Sequence, residues 1–191
     1  MMKSEQKEKV ILGIDPGTNI LGYSILIGNK NTLKITSCGV LKLKGTDTHF
    51  DRLHQIFTQI SELIQLHQPS DMAIEAPFYG KNIQSMLKLG RAQGAAILAG
   101  LENKLIIAEY SPRRIKQSIT GNGNASKERV ARMIESMYTL PKATVHLDET
   151  DAIAVAVCHY FEGKSGLKGT NKQFKSWGDY INSNPGKSNI K

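Results

Sequence analysis

The N-terminal part of the chain has the apolar pattern of three consecutive β-strands. Apolar runs over residues 10–15, 21–27 and 33–43 are separated by the pairs Pro16-Gly17 and Gly28-Asn29, which are typical of turns. Because these connections are short, we expect the three strands to pair antiparallel, as a meander.

After residue 47 the apolar positions change to a helical period. Phe50, Leu53, Phe57, Ile60 and Ile64 recur at intervals of three and four, which predicts a helix over residues 48–67. A strand is predicted at 71–75, a helix at 83–101, a fifth strand at 104–108, and helices at 111–120, 126–137 and 148–161. This order predicts an α/β fold in which a five-stranded mixed sheet is flanked by helices.

Length and composition predict a single folded domain. The chain has 191 residues, of which 40% are hydrophobic, enough to bury a core. We expect a short charged extension over residues 1–9, one domain over 10–162 and a basic tail over 163–191. No apolar run approaches the length of a membrane span, and no apolar segment follows the charged N-terminus as in a signal peptide. Cys38 and Cys158 match neither a metal-ligand spacing nor a disulfide framework. Together with the lack of a membrane segment, this predicts a cytoplasmic protein without a membrane partner.

Basic charge is concentrated in the middle of the sequence. Residues 78–142 hold 11 basic and 4 acidic residues, a net charge of +7, within a chain of net charge +8. Residues 10–77 and 143–161 together hold 5 basic and 9 acidic residues, a net charge of −4. Such asymmetry is typical of proteins that bind nucleic acids, although basic residues can also simply solvate helix faces.

Four carboxylates fall where this fold places functional groups. Asp15 ends the first strand and Glu75 ends the fourth, while Asp148 and Asp151 lie one turn apart on the last helix. Singly, each has an ordinary structural interpretation, such as a turn residue for Asp15 or a helix cap for Asp148. Together, four crowded carboxylates would repel each other unless divalent cations neutralised them. Two such ions can promote phosphodiester hydrolysis, so an acidic cluster beside a basic segment indicates a nuclease.

Three segments resemble RuvC-type Holliday-junction endonucleases. They are Gly13-Ile14-Asp15-Pro16-Gly17-Thr18 with Gly22-Tyr23; Ala73-Ile74-Glu75 with Phe78, Lys81-Asn82 and Lys88-Leu89-Gly90; and the run from Asp148 to Ala156. The order and spacing of these segments agree with the family across residues 10–162.

This resemblance implies an RNase H-like fold and a metal-dependent endonuclease that resolves four-way DNA junctions during recombination and repair. The catalytic, metal-binding acids would be Asp15, Glu75, Asp148 and Asp151. The DNA-binding residues would be Phe78, Lys81, Lys116 and Lys127. For Lys116 and Lys127, the simpler alternative is that they only tether DNA phosphates. For Phe78, the alternative is a place in the hydrophobic core.

The resemblance also implies Mg²⁺, with two ions per subunit and Mn²⁺ as a substitute, a homodimer, and contact with a junction-bound branch-migration complex. The helix at 83–101 carries small residues that would let a second subunit, or the chain's own sheet, approach it closely. They are Gly90, Gly94, Ala95, Ala96, Ala99 and Gly100. His146 is expected to be solvated or to lie behind the metal ligands. In the tail, Phe174, Trp177 and Ile181 would form a short apolar helical stripe.

Two other function classes compete with the nuclease. Actin-like phosphotransferases share the pattern of residues 13–18, but their folds duplicate this domain around a nucleotide, which 191 residues cannot supply. A catalytically silent junction-binding protein would not need all four acids.

Overall fold

A computed structural model describes residues 8–29, 32–43, 48–77, 82–140 and 147–164. Three residues with predicted roles, Phe78, Lys81 and His146, lie outside these ranges, as does the predicted apolar stripe of the tail. The elements are β1 Lys9–Asp15, β2 Ile20–Gly28, β3 Leu33–Lys42, α1 His49–His67, β4 Asp71–Glu75, α2 Ile83–Glu102, β5 Ile106–Tyr110, α3 Pro112–Thr120, α4 Lys127–Met137 and α5 Leu147–Lys164.

The strands form one five-stranded mixed sheet in the order β3-β2-β1-β4-β5. β1, β2 and β3 pair antiparallel, which confirms the predicted meander. β4 lies parallel to both β1 and β5, so three neighbouring strands end at the same edge of the sheet.

The predicted position of β5 is wrong by two residues. The strand begins at Ile106, which pairs with Asp71, and continues to Tyr110. Lys104 adopts a left-handed backbone conformation with φ of 62°, so it belongs to the turn that ends α2. The apolar run beginning at Lys104 therefore includes the turn as well as the strand.

Helix α5 crosses one face of the sheet at very short range. A Cβ atom on Gly13 would lie 2.3 Å from the carbonyl oxygen of Ala152, and one on Gly22 would lie 2.0 Å from that of Asp148. The buried hydroxyl of Ser24 donates a hydrogen bond to the same Ala152 oxygen at 2.8 Å. Because only glycine leaves room for this approach, these two positions set how closely the first turns of α5 lie to β1 and β2.

A partly buried polar network holds the other end of α5. The ammonium of Lys9 lies 2.7 Å from a carboxylate oxygen of Asp71, and Nε2 of His159 lies 3.1 Å from the same oxygen. Nδ1 of His159 is 2.8 Å from the hydroxyl of Tyr110. Burial alone would raise the pKa of Asp71, but hydrogen bonds from Lys9, Ser70 and His159 lower it below its usual value. Two ends of α5 are thus fixed to the sheet.

The opposite face of the sheet is covered by α1 and α2. Ile56, Ile60 and Ile64 of α1 are buried there, in the 3.6-residue period that predicted the helix. Thr48 and Asp51 form a capping box at the start of α1, which fixes where the helix begins. Within the described residues, no helix has the length and apolar character needed to cross a membrane.

Candidate active site

Asp15 and Glu75 end two neighbouring parallel strands. Pairing between β1 and β4 runs to Ile14 and Ile74, so the two acids follow directly at the same edge of the sheet. Adjacent strands lie about 4.8 Å apart, which brings these carboxylates within reach of each other. The apolar residues before each acid are buried in the sheet, so both main chains are held rigidly.

Asp148 and Asp151 lie in the first two turns of α5, above the same edge. Asp15 pairs with Gly22 across β1 and β2, and Gly22 is the residue that contacts the main chain of Asp148. The docking of α5 on the sheet therefore places Asp148 close to Asp15. Asp148 lies inside the helix rather than at its N-cap, because α5 begins at Leu147.

The electrostatics of the site show that neighbouring acids act on Asp15 and Glu75. Burial, reinforced by the negative charges of Glu75, Asp151 and Asp148, raises the pKa of Asp15 to about 8, against the opposing charge of Lys127. Burial and the charge of Asp151 raise the pKa of Glu75 to about 7. Without added cations, Asp15 therefore retains its proton near neutral pH instead of carrying a negative charge.

Two lysines face these acids from α3 and α4. The ammonium of Lys127 lies 2.5 Å from a carboxylate oxygen of Asp151. Lys116 is close enough for its charge to lower the pKa of Glu75. Together with Glu75 and Asp151, the two lysines line an open cavity of about 320 Å³, whose apolar part is formed by Pro112, Ile115, Val130 and Ala154.

The donor set fits divalent, oxygen-preferring cations. All four side chains are carboxylates, the ligand type that Mg²⁺ and Mn²⁺ prefer. Burial, and then the charges of neighbouring acids, raise the pKa of Asp15 and Glu75, so a bound cation would favour their charged forms. Among the described residues, no three His, Cys, Asp or Glu side chains already lie in an arrangement that could hold a metal ion. Asp151 is instead paired with Lys127.

Comparison with known protein families shows which family the chain belongs to. Residues 11–159 match the family described as Crossover junction endodeoxyribonuclease RuvC. The chain belongs to the RuvC family. A RuvC protein of Porphyromonas gingivalis is 48% identical over 184 residues, which are 95% of this chain and 97% of the relative. The RuvC protein of Christiangramia forsetii is 45% identical, over 98% of this chain and 99% of the relative.

Solved structures of RuvC proteins show the same architecture. Thermus thermophilus RuvC superposes with a TM-score of 0.74 at 30% identity, over 82% of this chain and 96% of that one. The same protein in complex with a Holliday junction substrate gives a TM-score of 0.76 at 29% identity, over 83% and 96% of the two chains. This confirms the RNase H-like fold, and family membership makes the chain a crossover junction endodeoxyribonuclease that depends on divalent metal.

The structure explains two glycines of the motif at residues 13–23 and adds one site residue that the sequence analysis missed. Gly13 and Gly22 appear as interruptions of apolar strands, and a glycine inside a strand is itself a signal of close backbone approach. Gln93 is a buried polar residue on α2 that contacts the main chain of Glu75. No sequence signal separates it from a surface glutamine, because its partners are 16 and 18 residues away.

Proposed function

We propose that Asp15, Glu75, Asp148 and Asp151 hold two Mg²⁺ ions and that this site hydrolyses phosphodiester bonds of four-way DNA junctions. The observation that supports this most directly is the set of mutually repelling carboxylates at one sheet edge, with the pKa of Asp15 raised to about 8. Mn²⁺ would substitute for Mg²⁺, because both take oxygen ligands. When bound, the ions would supply a nucleophilic water of lowered pKa and stabilise the leaving oxygen.

The residues of the chain have distinct tasks in this reaction. Asp15 and Glu75, held by the ends of β1 and β4, form the rigid half of the ligand set. Asp148 and Asp151 form the other half, whose position depends on the docking of α5. Lys127 and Lys116 would bind the non-bridging oxygens of the scissile phosphate, since both reach the carboxylate cavity from the side of α3 and α4. We also propose Phe78 and Lys81 as junction contacts, because they follow Glu75 closely in the chain.

A homodimer is proposed on the outer face of α2. Ile83, Leu87, Leu98 and Leu101 are between 53% and 71% exposed on this helix, although they are apolar. A Cβ atom on Gly90 or Gly94 would meet nothing within 4 Å. These positions form a stripe with the three- and four-residue spacing of a helix pair. Leu98 of this stripe also lines, with Leu53 and Phe57, an apolar groove of about 510 Å³ between α1 and α2.

Two-fold symmetry suits the substrate. A four-way junction offers two strands for symmetric incision, and a two-fold dimer offers two identical sites. The Thermus thermophilus relative has been solved in complex with such a junction. We further propose that the nuclease domain spans residues 10–162, between a short N-terminal extension and a basic tail, with Lys9 of β1 and the last two residues of α5 added at its ends. We also propose that the dimer acts in the cytoplasm beside a branch-migration complex.

The proposed function is tested by cleavage of a synthetic four-way junction. With Mg²⁺ we expect symmetric incisions in the junction, little cutting of a linear duplex of the same sequence, and no consumption of ATP. Addition of EDTA should stop the cutting while junction binding persists. Equal cutting of junction and duplex, or cutting that survives EDTA, would contradict the proposal.

A further inference from the structure

Gln93 is an exception on the buried face of α2. The other residues that α2 buries in the described structure are Ala92, Ala96, Ala99 and Gly100, which all lack polar side chains. Gln93 is only 6% exposed. Burying an amide costs free energy unless its donors and acceptors find partners, so a glutamine at this position requires an explanation.

The amide of Gln93 joins three elements. Its Nε2 atom has two hydrogens and donates one hydrogen bond to the main-chain oxygen of Glu75 at 3.4 Å. It donates another to the carboxylate of Glu109 on β5. The bond to Glu109 is charge-assisted, which makes it the stronger of the two and fixes the orientation of the amide.

The bond to Glu75 acts at the point where β4 leaves the sheet. The next residue, Ala76, still donates its N–H to the oxygen of Tyr110 at 2.8 Å, and the segment toward α2 follows. The peptide plane between Glu75 and Ala76 is therefore fixed on one side by β5 and on the other by Gln93. Because the side chain of Glu75 is attached to that main chain, the direction of its carboxylate depends on both bonds.

We propose that Gln93 is a positioning residue for Glu75, which fixes the main chain behind this metal-binding carboxylate. The inference rests on the proposed function, since it assumes that Glu75 holds a metal ion. Gln93 itself does not reach the ion. It acts through the backbone of Glu75, as groups behind metal ligands generally do when they orient those ligands.

The test compares Gln93→Met with Gln93→Arg. Methionine fills a similar volume without donors, whereas arginine restores donors to both the carbonyl oxygen and Glu109. We measure Mn²⁺ affinity by calorimetry on metal-free protein without DNA, and the turnover number and KM for junction cleavage with Mg²⁺. We expect Gln93→Met to lose about tenfold in Mn²⁺ affinity and turnover with KM unchanged, and Gln93→Arg to recover most of both.

Further variants distinguish a failure of this inference from a failure of the proposed function. Glu109→Leu changes an exposed residue, so it tests the same network without emptying a buried position, and we expect a smaller loss in the same direction. Wild-type Mn²⁺ affinity in both Gln93→Met and Glu109→Leu, or failure of Gln93→Arg to recover any of the loss, would overturn the inference. If Glu75→Gln itself binds Mn²⁺ and cuts normally, the proposed function fails instead.

Discussion

At the scale of single residues, Asp15 lowers the stability of the metal-free folded protein as the pH rises. Its folded-state pKa of about 8 lies far above the ordinary 3.8, so the folded protein retains a proton that the unfolded chain loses near pH 4. Between these two values the folded state binds more protons, and the free energy of unfolding therefore falls as the pH rises. Such a loss of stability is what we expect of a carboxylate whose proposed role is to bind a metal ion.

Asp15→Asn should remove this cost. In EDTA, we expect the variant to gain stability over wild type as the pH rises from 5 to 8.5, by at most about 1.4 kcal/mol per pH unit. Urea unfolding at several pH values measures the difference, and Glu135→Gln, which removes an exposed carboxylate from α4, is the matched control. A difference between Asp15→Asn and wild type that stays constant over this range would contradict the raised pKa.

Lys116 and Lys127 should affect cleavage more than binding. Both line the carboxylate cavity, so loss of either donor should lower the cutting rate at saturating protein by about 10²–10³-fold, as loss of other charge-stabilising donors does. Cutting and binding of Lys116→Ala and Lys127→Ala are measured at several salt concentrations.

The control for the two lysines is Arg129→Ala, an exposed cation of α4 outside the residues that line the cavity. A tethering residue should weaken binding and reduce the salt slope by about one, with normal cutting at saturation. If the lysine variants behave in this way too, their role is tethering of the DNA backbone.

At the scale of elements, the contact of α5 with β1 and β2 places Asp148 and Asp151, half of the proposed ligand set. Gly22→Ala would put a Cβ atom 2.0 Å from the carbonyl oxygen of Asp148, so the first turn of α5 must move. We expect the variant to remain folded by circular dichroism but to lose about tenfold or more in Mn²⁺ affinity and cutting rate.

Gly163→Ala is the control on the same helix, because a Cβ atom there would meet nothing within 4 Å. It should leave cutting unchanged and raise stability by about 0.5–1 kcal/mol through helix propensity. A Gly22→Ala protein that cuts like wild type would show that α5 does not need this close approach.

Sequence patterns predicted the elements well where the signals are local. The strand at Asp71–Glu75 is bounded by turn residues, and the serines at 111 and 126 are N-caps as expected. The start of β5 was wrong because the left-handed Lys104 cannot be distinguished from a strand residue by hydropathy. The contact of Gly22 with Asp148 joins residues 126 positions apart, and no local pattern contains it.

The same limit applies to the candidate site, where local signals predicted positions but long-range contacts could not be predicted. Asp15 and Glu75 could be placed at the sheet edge because each ends an apolar strand, but the parallel pairing that makes them neighbours is visible only in the structure. The pairing of Lys127 with Asp151 depends on how α4 packs against α5, and the residue spacing within each helix says nothing about it.

At the scale of the whole molecule, the apolar stripe on α2 should hold two subunits together. We expect the wild type to sediment at twice the 21.1 kDa of one chain, and Leu98→Glu to sediment as a monomer, because a charge would be buried in the contact. Leu66→Glu is the control, since Leu66 is 74% exposed on α1 and lies outside the stripe.

Loss of the dimer should also change the products from a cruciform plasmid. Paired incisions by a dimer give linear DNA, whereas single incisions by a monomer give nicked circles. Dimeric Leu98→Glu would exclude this face as the subunit contact.

The central claim is that four carboxylates at one sheet edge perform the metal-dependent cutting of junction DNA. It is tested most directly by measuring Mg²⁺-dependent cutting and junction affinity in parallel for Asp15→Asn, Glu75→Gln, Asp148→Asn and Asp151→Asn, with Glu135→Gln as the control. We expect each of the four variants to lose at least about 10²–10³-fold in cutting rate, because the amides keep the size of the side chains but lose the charge that holds the ions. Junction affinity should stay the same or rise slightly, because repulsion between the acids and the phosphates is relieved. Near-wild-type cutting by Asp15→Asn or Glu75→Gln would contradict the account.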